Sequence, residues 1–195
     1  MFGPAMLQTP ETDDRDSSVR AICPHPRGGQ VITMGFPGLE TDLRGQALIS
    51  PERMEVTLDH AVSAGMALLL ILPQPDELPT DAMSLLRGAL RARGLRGVRL
   101  PILDYSVPGA SFLRAWHRLS PAFAAIFASG GSVGMCCHHG AGRSGLVAAM
   151  HLIEEGLTPI EAVTQLRRQF PESVENDLQS AWLVDFANPP RADCP

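Results

Sequence analysis

The chain contains no lysine, so all 16 of its basic residues are arginines, set against 21 acidic ones. A net charge of −5 and a pI near 5.6 exclude the basic footprint that a nucleic-acid polyanion requires, and no nucleic-acid partner is expected. Cysteine is scarce: Cys23, Cys136, Cys137 and Cys194 do not make a disulfide framework in 195 residues. The apolar run over residues 67–72, like every other, falls far short of the ~20 residues that span a bilayer, so no membrane association is expected. The opening Met1-Phe2-Gly3-Pro4 has neither the basic nor the apolar stretch of a secretory leader. These absences together predict a soluble protein of a reducing compartment, the cytoplasm, where a free thiol stays reduced. Internal repeats and low-complexity tracts are also missing.

What is present is an alternation of strand and helix patterns. Residues 1–19 are polar and acidic and read as a loosely ordered arm ahead of a single domain over 20–190. Short β-patterns at 18–23 and 30–34 suit an antiparallel edge pair, joined by a turn in which His25 reads as a solvated loop residue. Ser50 and Pro51 open a helix that points Met54, Leu58, Ala61 and Val62 inward. The unbroken apolar stretch 67–72 fits a parallel strand covered on both faces. Thr80 is the expected cap of a second helix burying Met83, Leu86 and Leu90, and a strand follows at 98–103. Residues 110–128 carry Phe112, Trp116, Leu119, Phe123 and Phe127 on one helical stripe, with Pro121 expected to break or kink it. A strand at 133–136 precedes three helices. The second of these has a capping box from Thr158 to Glu161 and Ile160, Val163 and Leu166 inward; the last is closed by Leu178, Trp182 and Leu183. The fold class is α/β: a central, mostly parallel sheet flanked by helices, with an antiparallel edge pair near the N-terminus.

The chemistry gathers in Cys136-Cys137-His138-His139-Gly140-Ala141-Gly142-Arg143-Ser144-Gly145. A strand that runs through a glycine-containing loop into a helix N-terminus is an oxyanion cradle, because the loop amides and the helix dipole both favour negative charge. Cys137 and Arg143 bracket five residues. Loop amides, the helix terminus and the guanidinium favour the thiolate, the reactive form of cysteine. Arg143 presents a planar fork to two oxygens of a phosphoryl group, Gly140 and Gly142 permit the tight turn, and Ser144 is placed to hydrogen-bond the sulfur. The pattern suits phosphoryl transfer through a cysteinyl-phosphate. Ligands of such sheets bind beyond the carboxyl ends of the strands, and Asp104, one helix and one return strand upstream of Cys137, falls at that same end.

Cys-x5-Arg-Ser with Gly140 inside it resembles the signature loop of the cysteine-based dual-specificity and tyrosine phosphatases; rhodanese-like sulfurtransferases and arsenate reductases use similar loops. Leu100-Pro101-Ile102-Leu103-Asp104-Tyr105-Ser106-Val107-Pro108 resembles the general-acid loop of the phosphatases, and residues 173–186 resemble the last helix of the smaller dual-specificity enzymes. The nearest likeness is to the kinase-associated phosphatase, or cyclin-dependent kinase inhibitor type, branch. Met34-Gly35-Phe36-Pro37-Gly38 resembles the entry loop of that branch, and residues 68–72 resemble its first central strand.

The resemblance implies Cys137 as nucleophile, Arg143 and the amides of His138, His139, Gly140, Ala141 and Gly142 as the phosphate holders, and Asp104 as acid and then base. It also implies Ser144 as an aid to thiolate departure and Gln179 as a residue that helps place the water. It calls for no cofactor and no metal. The family histidine before the nucleophile is replaced by Cys136, a weaker hydrogen-bond donor, which predicts a less rigid loop. His138 and His139 are expected on the rim, and Tyr105 and Phe36 against an aryl phosphate. The expected partner is a phosphorylated protein or other phosphomonoester, cleaved at tyrosine and at serine or threonine. The alternatives are a catalytically weak phospho-binding module of the same fold, or sulfur or arsenic chemistry that would not need Asp104. Oligomeric state is not encoded in any of these patterns.

Overall fold

The structure, a computed structural model, describes residues 16–188. Strands β1 (Val19–Pro24) and β2 (Gln30–Gly35) form the antiparallel pair, and β3 (Leu39–Thr41) and β4 (Ala47–Ile49) make a small separate hairpin. Then follow α1 (Pro51–Ser63), β5 (Met66–Ile71), α2 (Ala82–Ala92), β6 (Arg96–Arg99), α3 (Ala110–Ala128) and β7 (Ser132–Cys137). Helices α4 (Gly142–Glu154), α5 (Pro159–Arg167) and α6 (Asp177–Ala187) complete the order. The main sheet runs β1-β2-β7-β5-β6 and is parallel everywhere except between β1 and β2. The α/β expectation with its N-terminal antiparallel pair therefore describes the observed fold.

Side chains alternate across the sheet and build two cores. One face packs Met54, Leu58 and Ala61 of α1 and Leu86 and Leu90 of α2 over Ile32, Leu69 and Cys136. The other packs α3 to α6 over Val31, Leu68, Leu70 and Met135. Helix α4 is buried at every position from Gly142 to Leu152, which is why it is apolar all round rather than on one stripe. Two edges flank the sheet, and they are finished differently. The Gln169 side-chain amide fills the open edge of β1: its Oε1 accepts from Ile22 N at 2.9 Å and its Nε2 donates to Ile22 O at 2.7 Å. Strand β6 borders only β5.

Several local expectations need correction. His25 is not solvated: it is 5% exposed and stacked on Phe127, and burial pushes its imidazole down to about 4, with the neighbouring His151 adding to the shift. Pro121 does not break α3, which is continuous through it; the ring removes one amide bond, and the buried Trp116, Phe123 and Phe127 anchor both sides. Thr80 is not the cap of α2; Asp81 occupies that position without a side-chain cap bond. Val62, Ile160 and Leu178 face outward, because the inward stripes of their helices are set by Leu58 and Ala61, Ala162 and Leu166, and Gln179 and Leu183. The strand expected at 98–103 is β6 and ends at Arg99; Pro101 has no amide to continue the ladder, and only Leu100 N and Ile102 N still reach Ile71 O and Leu72 O, each at 2.9 Å. Of the expected loose arm, residues 1–15 lie outside the described residues. Its end is fixed: Ser18 N donates to Thr57 Oγ1 at 3.0 Å, and Asp16 pairs with Arg53 at 2.8 Å.

Candidate active site

Cysteine occupies both final positions of β7, and strand alternation separates them. Cys136 is fully buried on the α1/α2 face with Met34 and Ile71, and burial pushes its thiol well up, aided by the nearby Cys137. Cys137 belongs to the opposite face, 3% exposed, and begins the loop. The two sulfurs cannot pair without turning the strand over.

The loop folds back tightly enough for Gly140 N to donate to Cys137 Sγ at 3.2 Å. Gly140 has φ +95°, and a Cβ there would stand 2.5 Å from Gly35 N, so only glycine fits. Arg20 of β1 clasps the loop from outside, its Nε donating to His139 O at 3.1 Å while its guanidinium lies over the Phe170 ring. His138 and His139 are exposed on the rim, as expected. Helix α4 starts at once, with Ala141 at its N-cap making no side-chain cap bond and no acidic residue in its first turn. Its first amides are therefore left for an anion.

Arg143, 1% exposed, is held by two carboxylates, of which sequence reading found Asp104 but not Glu77. Nη1 and Nη2 each donate to one oxygen of Glu77 at 2.7 Å, a bidentate pair. Nη1 also donates to Ile102 O at 3.1 Å, and Nη2 lies 2.9 Å from Asp104 Oδ1. Glu77 is itself fixed by the short 3-10 turn Pro75–Glu77, where Gln74 N donates to its Oε1 at 2.7 Å. Burial alone would raise the Glu77 carboxyl, but the Arg143 fork and the Gln74 amide outweigh it, and the carboxyl sits below its ordinary value. The same partners outweigh burial at Arg143 and hold the guanidinium above its ordinary value. One donor stays open: Arg143 Nε is buried with no hydrogen-bond partner.

Asp104 is thus on the same end of the sheet as Cys137, half exposed, and joined to the loop through Arg143. Its segment is braced by the approach to α6: Asn176 Nδ2 donates to Tyr105 O at 3.2 Å, and Gln179 Nε2 stands 3.5 Å from Ser106 O. Backbone strain brackets the site, since Tyr105 and Val174 adopt φ +55° and +59°. For a β-branched valine that is a true outlier, held here by Val174 N donating to Ala141 O and by Arg167 Nη2 donating to Val174 O. Next to it, Glu175 packs directly on Gly142, where a Cβ would meet its carboxylate. Burial first, and then the Asp104 charge, push the Glu175 carboxyl up.

Three expected roles meet different surroundings. Ser144 Oγ donates to Met34 O at 3.2 Å, not to the sulfur. Phe36 is 1% exposed in the α1/α2 core and cannot stack on a ligand, while Tyr105 is exposed. Gln179 is fully buried; its Oε1 accepts from Glu175 N at 3.1 Å while its Nε2 faces Ser106 O, so it ties the acid segment to α6. Cavities of about 430 Å³ between α2 and β6 and about 520 Å³ along α5 lie away from the loop, while one of about 310 Å³ borders it, lined by His139, Ala141, Arg167, Glu172, Val174 and Glu175.

No protein-family model matches this chain, and no curated protein matches it in sequence. Solved structures do match it. Tk-PTP in its active form is 21% identical over 87% of this chain and 96% of its own, with a TM-score of 0.61. The kinase associated phosphatase, with its catalytic-site cysteine substituted by serine, is 16% identical over 85% and 93%, with a TM-score of 0.64. PTPMT1 in complex with PI(5)P is 17% identical over 85% and 94%, with a TM-score of 0.58. The chain has the fold of the dual-specificity and tyrosine phosphatases.

Proposed function

We propose that the chain is a cysteine-dependent phosphomonoester hydrolase acting on phosphorylated protein at tyrosine and at serine or threonine. The observation that carries this reading is the buried Arg143 at the first turn of an uncapped helix, its Nε–H open, beside a thiol that accepts the Gly140 amide. A phosphate dianion fills that donor and the free amides of the loop. Cys137 Sγ then attacks phosphorus in line, the S–P bond forming as the bond to the leaving oxygen breaks. The phosphate competes with Asp104 for Nη2, and Asp104 turns to give its proton to the leaving oxygen. In the second step water attacks phosphorus and passes its proton to Asp104, the S–P bond breaks, and the thiolate returns. Glu77 keeps the fork in plane throughout, Gln179 and Asn176 position the acid segment, and the Ser144 hydroxyl anchors the loop to β2.

Aryl-phosphate turnover in the presence of a chelator tests the reading. Cys137→Ser is expected to abolish it, and Asp104→Asn to slow phenyl phosphate by ~10²–10³-fold while sparing substrates with good leaving groups. Turnover that survives Cys137→Ser, or a leaving-group dependence unchanged in Asp104→Asn, overturns it. A second reading, phospho-binding with slow turnover, is favoured by one observation: the apolar, fully buried Cys136 stands where the family resemblance expects a supporting histidine. Phosphopeptide binding without hydrolysis, with turnover restored by Cys136→His, would select it. Transfer of sulfur from thiosulfate, or reduction of arsenate, by Asp104→Asn at the wild-type rate would instead select sulfur or arsenic chemistry.

A further inference from the structure

At the end of the sheet opposite Cys137, the turn between β1 and β2 lies over the last turn of α4, and two imidazoles are buried where they meet. His25 is 5% and His151 3% exposed. His25 stacks on Phe127 with centroids 3.6 Å apart, and the two imidazoles lie 5.0 Å apart and nearly parallel. Trp116, Phe123 and Phe127 surround His151 at 5.3, 5.5 and 5.2 Å. Three of the four ring nitrogens have no hydrogen-bond partner: Nε2 of His25 and both nitrogens of His151. Glu154 Oε2 stands 3.5 Å from His151 Nδ1 but already accepts Trp116 Nε1–H at 2.8 Å. Native interiors rarely leave buried polar atoms in this state, and when they do a ligand, ion or water is the usual explanation. Beside the rings is a carboxylate, Glu155, with 13% of its side chain exposed and paired with Arg27. One ligand atom from each of His25, His151 and Glu155 lies within 4.8 Å of the others. The site is also at the C-terminal end of α4, where the helix dipole favours a cation.

We propose that His25, His151 and Glu155 form a binding site for a divalent first-row transition metal ion of the zinc class. Two neutral imidazoles and a carboxylate are a borderline donor set suited to Zn²⁺, with a fourth position for water. Bond lengths of about 2.0–2.2 Å put tetrahedral ligand atoms roughly 3.3–3.5 Å apart, so the three groups close up by about an ångström on binding. The parts that move are available: His25 is on a turn whose Gly28 and Gly29 have φ +99° and +65°, and Glu155 is the C-cap of α4. Arg27 opposes the ion twice. Its amide donates to His25 Nδ1 at 3.2 Å, a hydrogen bond that breaks once Nε2 ligates and the ring proton moves to Nδ1. Its guanidinium also occupies Glu155. The bound ion ties the β1–β2 turn to α4, distant from the phosphate loop.

The test is calorimetric titration of the whole, chelator-stripped chain with ZnCl2 in a Cys137→Ser background, which removes the loop thiolate as a competing ligand. One equivalent is expected to bind with a Kd of ~1 μM or tighter and to raise the Tm. Glu155→Gln and His151→Leu should each weaken binding at least tenfold, and Arg27→Ala should tighten it. Co²⁺ should give the intense visible band of a tetrahedral site. No binding below ~100 μM, binding that persists unchanged in His151→Leu and Glu155→Gln, or an Arg27→Ala variant that binds no tighter overturns the proposal. Glu155→Gln keeps the size of the side chain and Arg27→Ala alters a half-exposed one, so their readout stands even if His151→Leu is unstable.

Discussion

Helix α4 carries a buried polar cluster at each end, and the two are finished in opposite ways. At its N-terminus Arg143 meets Glu77, Asp104 and Ile102 O, and a single donor, Nε, is left without a partner. At its C-terminus three imidazole nitrogens are left without one. What each end can receive follows the helix: an open donor for an anion where the dipole is positive, and unpartnered imidazole nitrogens able to ligate a cation where it is negative. Completed partnerships hold geometry, and incomplete ones define where a ligand of a given charge can be received. On the two proposals made above, the same element serves an anion site and a cation site about a helix length apart.

Breaking this contrast at its partnered end should have the largest effect. Arg143→Lys replaces the fork with a point charge that cannot hold Glu77 and phosphate together, and kcat/KM for an aryl phosphate should fall by about 10²–10³-fold. Glu77→Gln leaves the guanidinium charged but loosely oriented, for a loss of about tenfold. Glu77 also marks a pH window. Its carboxyl is held below the ordinary value of 4.5 in the folded chain, so the unfolded chain takes up the proton first as the pH drops. The stability it contributes is complete above that value and is lost as the pH falls through and below it. Denaturant midpoints of wild type and Glu77→Gln should therefore differ at pH 7 and draw together as the pH falls below 4.5. Glu175→Gln removes a negative charge packed on Gly142, and KM should fall about two- to threefold with kcat little changed. The smallest kinetic effect belongs to the unpartnered end: His151→Leu should leave kcat/KM within about twofold. In chelator it should match or exceed wild-type stability by up to ~1 kcal/mol, since apolar atoms replace orphaned nitrogens. A large catalytic loss in His151→Leu would erase the distinction between the two ends.

Local patterns carried much of this into view. The oxyanion loop is contiguous, so Cys137, Arg143 and the glycines could be read from spacing, and strand alternation separates Cys136 from Cys137 as soon as β7 is placed. Asp104 could be found because a strand and a proline-marked turn frame it. Glu77 was missed: it lies on the loop after β5, and its meeting with Arg143 depends on β5 and β7 being neighbours in the sheet. That the loop follows a central strand at the carboxyl end was the available signal. Arg20 was missed for the same reason, since β1 reaches the loop only across β2. His25 was misread because its turn is polar and glycine-rich, whereas its burial comes from Phe127 and His151, more than 100 residues away along the chain. Helix faces failed at Ile160 and Leu178, first-turn positions where an apolar residue can point either way.

The position of β7 between β2 and β5 has a consequence for how the molecule breathes. Its amides are bonded on both sides, whereas β6 has one neighbour and hands its chain on to residues 100–104, which keep two backbone bonds to the β5 strand and its end and otherwise hang on Arg143. Native-state hydrogen exchange should therefore release protection first around β6 and last along β7. On gentle warming, the segment that carries the proposed acid should loosen before the strand that carries the sulfur. Rates for poor leaving groups would then decline at a lower temperature than rates for good ones.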